Sequence, residues 1–199
     1  MPEMRSNPPH AQTARPHELT YTRTARVFHW VTAALIAVLA PLGIAMYYRG
    51  NTLNIWDGTT NAMYSMHKLL GFTLLLIVVA RIIYRFKHGR PEDEKDLENW
   101  QKIASYLVHS ALYVMLFVVP LLGWIGVQRY PALDVFGLFN LPKFLKPNEA
   151  AASRAFMLHA WGAFLLIALI AGHIGAALYH HYVRKDGVLK RMWPGRNDP

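Results

Sequence analysis

The chain has 199 residues, no cysteine and a formal net charge of +9, and 53% of its residues are hydrophobic. The absence of cysteine excludes disulfides, cysteine-ligated iron–sulfur clusters, and haem that is attached through cysteine or ligated by a thiolate. A net positive charge can indicate nucleic-acid binding. Here, however, the basic residues flank long apolar segments, which is how membrane proteins carry their charge.

The chain begins with a polar segment and a first apolar span. Residues 1–22 contain four prolines and lack the apolar core of a signal peptide, so we expect a flexible polar tail. Residues 27–48 carry no charge and are long enough to cross a bilayer as a helix. His29 lies near the start of this span, and Pro41 is expected to kink it.

Two further spans follow. Residues 63–86 contain His67 near their start, together with the charged Lys68 and Arg81. A mixed-charge loop over 87–102 leads to the uncharged third span, residues 103–127, which contains His109. Lys68 is expected to extend its ammonium group to the nearby surface. The loop over 128–154 has a short apolar patch at 136–139, for which we expect a position on the membrane surface.

The fourth span, residues 155–182, holds 28 uncharged residues, and His159 and His173 lie within it fourteen positions apart. Fourteen helical steps bring these two side chains to within about 40° of the same face, and separate them by roughly 21 Å along the axis. One therefore lies near each margin of the hydrocarbon layer. A basic tail, residues 183–199, ends the chain, so we predict one transmembrane domain over 23–192.

The charges between the spans predict the orientation. With four spans, both termini and the loop over 87–102 lie on one side of the membrane, and that side carries 15 of the 21 Lys and Arg residues. Loops rich in Lys and Arg stay in the cytoplasm. We therefore predict an all-α, up-down-up-down four-helix bundle with both termini cytoplasmic.

The direction of each helix decides which histidines share a depth. His29 and His173 lie near the cytoplasmic face, and His67 and His159 lie near the outer face. Each pair can supply two axial nitrogens to one iron, which predicts two haems stacked across the bilayer. Zinc prefers four ligands, often cysteine or carboxylate, and copper sites usually add Met or Cys. A proton relay needs no stacked pairs. Glycines in the spans allow close approach to a porphyrin but serve ordinary helix packing as well: Gly43, Gly71, Gly123, Gly126, Gly162, Gly172 and Gly175.

Other polar side chains fall near the cytoplasmic level. Arg81 shares a helical face with His67 but lies fourteen residues deeper, where a haem propionate is one natural partner and the cytoplasmic surface is the alternative. His180 follows His173 by seven residues on nearly the same face, about 10 Å closer to the cytoplasm. His181 points about 100° away, and His109 has a similar depth. These histidines fit a cytoplasmic pocket, although anchoring of helix ends is an alternative for at least one of them.

Several segments resemble one known family. They are RVFHW in the first span, MHKLLG and ARIIYR in the second, HSALYVMLFVVPLLGW in the third, and LHAWGAFLLIALIAGHIGAALYHHYVRKDGVLKRM in the fourth. Over roughly 21–192 the chain resembles the bacterial cytochrome b561 family of four-helix, dihaem proteins of the inner membrane, which implies a bacterial inner-membrane location. The resemblance implies one haem b on His29 and His173 and another on His67 and His159. It also implies electron transfer from the outer face to ubiquinone, and members resemble superoxide oxidases.

Together these observations predict a superoxide:quinone oxidoreductase. In this hypothesis His180 binds or protonates the quinone, with His109 close by, while Arg81 and Arg26 stabilise an anionic quinol or pair with haem propionates. A small anionic donor fits the net positive charge of the outer loops. The alternative is a haem-carrying membrane anchor and electron wire that serves a separate catalytic partner.

Overall fold

Four long helices form the protein. The computed structural model describes residues 20–91 and 97–193, and its helices are α1 (Arg23–Tyr47), α2 (Gly58–His88), α3 (Asn99–Arg129) and α4 (Glu149–Tyr179). All four are long and apolar enough to cross a membrane. Each predicted span lies inside one of these helices or its direct continuation, and the helices extend beyond the predicted limits by two to six residues at most ends. Most of the predicted N-terminal tail lies outside the described residues.

Each helix begins at a polar residue whose side chain satisfies free backbone N–H groups. Thr22, Asp57 and Asn148 accept hydrogen bonds from the third residue of α1, α2 and α4, respectively. Glu98 opens α3 with a reciprocal capping box. The hydrogen bond from the Thr60 backbone N–H lowers the pKa of Asp57 below its usual value. These caps fix where the chain enters each span.

Two helices continue into π-helical turns. The turn over Tyr48–Thr52 extends α1, and the turn over His180–Arg184 extends α4. Lys185 then adopts a left-handed conformation (φ 55°), which ends the helix. A short 3-10 helix, Leu189–Met192, returns to α1, where the Trp30 indole N–H donates to the Met192 carbonyl over 2.8 Å. The C-terminal segment is therefore tied to the first helix.

The two ends of the bundle are closed differently. On the terminal side, where α1 and α3 begin and α2 and α4 end, the hydroxyls of Thr22 and Tyr84 lie 2.9 Å apart. On the opposite, hairpin side, a two-residue antiparallel ladder joins β1 (Asp134–Val135) to β2 (Phe139–Asn140). The hairpin packs through a small buried cluster formed by Leu133, Val135 and Leu141.

Polar side chains of α2 hold this hairpin in place. Lys68 donates to the backbone carbonyl of Ala132 over 3.1 Å and also to the carbonyl of Asp134. The Ser65 hydroxyl accepts a hydrogen bond from the Phe136 backbone N–H. Lys68 was expected to reach toward the surface, and its ammonium group donates to carbonyls of the loop on the hairpin side. Of the apolar residues in this region, Val135 is fully buried and Leu138 is 80% exposed.

The bundle packs unevenly around its axis. A buried cluster that includes Leu39, Val78, Leu116 and Leu166 joins the four helices. Within the described residues, the closely packed helix pairs are α3 with α4, α1 with α2, and α2 with α3. The pairs α1/α4 and α2/α4 make at most marginal backbone contact. Many large apolar side chains face outward, as expected for helices whose surroundings are lipid tails.

Candidate functional site

Two pairs of histidines meet in the bundle, one at each level. On the hairpin side, His67 of α2 faces His159 of α4 with 6.0 Å between ring centroids and 88° between ring planes. On the terminal side, His29 of α1 faces His173 of α4 with a centroid separation of 6.2 Å and an angle of 68°. Each pair therefore joins helices whose backbones do not pack closely. In both layers it is the imidazoles that span the gap between the helices.

The hairpin-side histidines are fixed by backbone groups and by close glycines. His159 Nδ1 lies 2.8 Å from the Val119 carbonyl, so Nδ1–H donates and Nε2 keeps its lone pair. His67 Nδ1 is buried and has no hydrogen-bond partner among the described residues. A ring nitrogen with a free lone pair is what a metal ion requires.

Two glycines set the position of these rings. A Cβ atom at Gly43 would lie 2.9 Å from His67 Cε1, and one at Gly123 would lie 3.0 Å from His159 Nδ1. Contacts this short require a neighbour to move. Because glycine has no Cβ atom, each imidazole packs directly against the backbone of the adjacent helix. His67 packs on α1 and His159 packs on α3.

The terminal-side pair has more polar neighbours. The Arg81 guanidinium approaches His29 Nδ1 at 3.3 Å, and its Cζ lies 5.1 Å from the centre of the Tyr113 ring. His109 lies 5.2 Å from His173, measured between ring centroids. Its Nδ1–H donates to the Ser105 carbonyl over 2.6 Å, which leaves Nε2 as an acceptor. Three imidazoles and a guanidinium therefore share this level.

Both histidine pairs have the spacing that axial ligation of a haem iron requires. With metal–nitrogen bonds of about 2 Å and about 1.1 Å from each nitrogen to its ring centre, two opposed imidazoles have centroids about 6 Å apart. The observed 6.0 and 6.2 Å agree with that distance. His109 and His173 are closer than opposed ligands can be. Among the described residues no cluster of three or more His, Asp or Glu side chains could hold a metal ion by itself.

One contact bears on how His29 would bind iron. A guanidinium only donates hydrogen bonds, so His29 Nδ1 accepts from Arg81 in this arrangement. A histidine that binds iron through Nε2 carries its hydrogen on Nδ1. Haem binding at this level therefore requires Arg81 to turn toward another acceptor, and a propionate is an acceptor that a guanidinium matches. With that movement of Arg81, the residues fit the group.

Two other predicted residues are placed near the terminal side. Arg26 is buried in the first turns of α1, with 5% of its surface exposed, and it interacts within the protein. His180, at the start of the π turn after α4, has its Nδ1 atom 2.5 Å from Asp186 Oδ2. Both partners are largely buried, with side-chain exposures of 14% for His180 and 10% for Asp186.

Some residues of the site were not found by sequence reasoning. The seven glycines of the spans could not be ranked from sequence, because the imidazole against Gly43 or Gly123 belongs to another helix. Tyr113 and the Val119 carbonyl have no sequence pattern that would identify them. Asp186 had a weak signal, since it is the acidic residue of the KDG segment that follows the last span.

The fold and the histidine pairs define an integral membrane protein of four spans with paired metal-ligand candidates at two depths. Comparison with known families agrees: the family model of prokaryotic cytochrome b561 matches residues 20–195. The chain belongs to this family. It is therefore a bacterial integral membrane protein of the haem b electron-transfer class.

Individual relatives cover most of the chain. Cytochrome b561 homolog 2 of Escherichia coli K12 is 31% identical over 173 residues, which is 86% of this chain and 90% of the relative. Cytochrome b561 homolog 1 of the same organism is also 31% identical, over 88% of this chain and 98% of its own length. A probable superoxide oxidase CybB from Yersinia pestis is 27% identical over 66% of this chain and 75% of the relative.

Proposed function

We propose that the protein binds two haems b, oxidises superoxide at the periplasmic face and reduces ubiquinone near the cytoplasmic face. The observation that carries this proposal is the pair of histidine contacts at different depths, with centroid separations of 6.0 and 6.2 Å. Haem b is the cofactor of the family, and two such contacts support two haems in each chain.

In this proposal the four histidines hold the cofactors. His67 and His159 ligate the periplasmic haem, and His29 and His173 ligate the cytoplasmic haem. Arg81 and Arg26 bind anionic groups at the cytoplasmic level, either the haem propionates or an anionic quinol. Bound haem supplies one-electron redox chemistry, while the protein determines the potential, the insulation from water and the access of substrates.

The orientation follows from the charges. The terminal side, which we assign to the cytoplasm, carries 15 of the 21 Lys and Arg residues. On the periplasmic side, Lys143, Lys146 and Arg154 are exposed. These cations favour the approach of a small anion. The name of the Yersinia pestis relative supports superoxide as that anion.

Quinone reduction is assigned to the cytoplasmic level because a quinone needs protons as well as electrons. His180 lies beyond His173 toward the cytoplasm, and an imidazole can both donate and accept a proton. His109, in contact with His173, forms part of the same region. We assign His180 to proton transfer and His109 to the lining of the quinone site.

A spectrum and a turnover assay on the purified chain test the proposal. We expect two low-spin haems b per chain, and oxidation of superoxide coupled to reduction of a short-chain ubiquinone. His67→Ala and His159→Ala should each lose the periplasmic haem and leave the other largely bound. A folded parent protein that binds only one haem per chain would contradict the two-layer assignment.

The same preparation separates the proposal from its alternative. If the pure protein shows two haems but no turnover, and copurifies with a stoichiometric partner, it is an electron wire for that partner. His180→Ala should keep both haem spectra and slow only reoxidation by ubiquinone. Unchanged reoxidation in this variant would exclude His180 from the quinone site.

A further inference from the structure

The C-terminal segment contributes an acidic residue to the histidine assigned to proton transfer. Asp186 Oδ2 lies 2.5 Å from His180 Nδ1, and Asp186 Oδ1 accepts a hydrogen bond from the Val188 backbone N–H over 3.1 Å. The carboxylate is 90% buried, so the contact is not a loose surface pair. Arg184 also contacts this carboxylate, with its Nε atom 3.7 Å from Asp186 Oδ2.

Local backbone structure brings the two residues together. The π turn over His180–Arg184 ends at the left-handed Lys185, and the Asp186 backbone N–H donates to the His180 carbonyl. The chain therefore reverses within six residues and returns the carboxylate to the ring. The contact of Trp30 with Met192 anchors the segment that follows, so this reversal is held from both ends.

We propose that Asp186 is a positioning residue for quinone reduction, which orients His180 so that its Nε2 atom delivers the proton. The inference rests on the proposed function. A carboxylate that accepts from Nδ1–H fixes the tautomer and orientation of an imidazole and stabilises the imidazolium. With Nδ1 engaged by Asp186, only Nε2 is available to a substrate.

The overall reaction balances without a further reactant. Two superoxide ions, one ubiquinone and two protons give two molecules of oxygen and one ubiquinol. Each superoxide loses one electron, and the quinone gains both. In the proton step the His180 Nε2–H bond breaks, an O–H bond forms at a quinone carbonyl oxygen, and water on the cytoplasmic side reprotonates His180.

The critical variant is Asp186→Asn. Its side-chain oxygen can still accept from the Val188 N–H, so the turn keeps its hydrogen bond while the charge facing His180 is lost. Asp186→Glu restores the charge on a longer side chain. Glu98→Gln is the matched control, because Glu98 Oε1 lies 3.7 Å from the same Arg184 side chain but belongs to α3.

Two measurements on the full-length protein with its haems bound test whether Asp186 orients His180. The first is the 15N spectrum of the reduced protein, in which the signal of His180 is assigned by its loss in His180→Gln. We expect protonated Nδ1 in the parent and a shift toward the Nε2–H tautomer in Asp186→Asn. The second is the rate of haem reoxidation by ubiquinone-1 after rapid mixing.

For Asp186→Asn we expect both haem spectra and reduction by superoxide to be unchanged, and reoxidation to slow about ten- to a hundredfold. The concentration of ubiquinone-1 at half-maximal rate should change far less than the rate, and the solvent deuterium isotope effect should increase. Asp186→Glu should recover part of the rate. Glu98→Gln should behave as the parent.

Each contrary result has a distinct meaning. Reoxidation at the parent rate in Asp186→Asn, or an unprotonated Nδ1 in the parent, overturns the role of Asp186 and leaves the proposed function standing. Equal slowing in Glu98→Gln shows that Arg184 is responsible, which also overturns it. If the parent does not reduce ubiquinone-1, the proposed function fails and the inference fails with it.

Discussion

At the scale of single residues, the two histidine layers differ in what surrounds the rings. The hairpin-side rings rest on glycines and are held by backbone groups, whereas the terminal-side rings have Arg81 and His109 as neighbours. Nearby charge and hydrogen bonding are among the main determinants of haem potential. The two proposed haems should therefore have different potentials, and the side chains around His29 and His173 can be replaced individually to test this.

The glycine contacts predict a local effect on the periplasmic haem. Gly43→Ala and Gly123→Ala force a methyl group against His67 and His159, at about the cost of an overpacked core, ~1–3 kcal/mol. We expect each variant to lose haem from this layer, measured as the ratio of haem to chain. Gly58→Ala is the control, because a Cβ there meets nothing within 4 Å. A full complement of haem in Gly43→Ala and Gly123→Ala would show that the rings tolerate displacement.

Arg81 predicts an effect on the cytoplasmic haem. Loss of a cation beside a haem makes reduction less favourable, so Arg81→Gln should lower the potential of this haem by an amount on the order of tens of mV. Arg85→Gln is the matched control, since Arg85 also faces the Tyr113 ring, at 6.0 Å. Spectroscopic redox titration measures the potential of this haem in both variants. Equal shifts in the two variants would indicate a general charge effect rather than a contact with the cofactor.

At the scale of elements, hydrophobic length and helix direction were enough to predict the four helices, since an uncharged run of about 20 residues has few alternatives. The same reasoning predicted which histidines share a depth. It could not predict the hairpin, because a two-residue ladder has almost no sequence pattern. It also missed the return of the C-terminal segment to Trp30, which depends on one left-handed residue and a tertiary hydrogen bond.

The hairpin predicts a measurable local stability. Lys68 holds it through two backbone carbonyls, so Lys68→Met should leave those carbonyls without their donor and loosen residues 131–141. Hydrogen–deuterium exchange should rise there by about tenfold, the equivalent of a lost hydrogen bond of ~1.4 kcal/mol. Lys143→Met, at an exposed position of the same loop, should leave exchange unchanged. Unaltered exchange in Lys68→Met would mean that the buried cluster around Val135 holds the hairpin alone.

At the scale of the whole molecule, the basic residues have two separate roles. In the proposed orientation the larger group, on the terminal side, serves as the topology signal, while the smaller group lies where the proposed donor arrives. Contacts also divide the smaller group. Arg49 pairs with Asp57 at 2.8 Å, and Arg129 donates to the Lys146 carbonyl. The remaining charges, on the side chains of Lys143, Lys146 and Arg154, are exposed and best placed to act on an ion in solution.

This division predicts which charges control the encounter with superoxide. A triple variant with glutamine at Lys143, Lys146 and Arg154 should reduce its haems more slowly at low ionic strength, by about tenfold, because steering acts on the association rate. The difference should shrink toward 0.15 M salt and above, where the screening length falls below about 8 Å. A control with glutamine at Lys87, Lys102 and Lys190 removes the same charge from the terminal side and should retain the parent rate.

Stopped-flow mixing with superoxide over a series of salt concentrations measures the rate of haem reduction in both variants and in the parent. Equal slowing in both variants would show that only net charge matters, and a rate insensitive to salt in the parent would argue against an anionic donor.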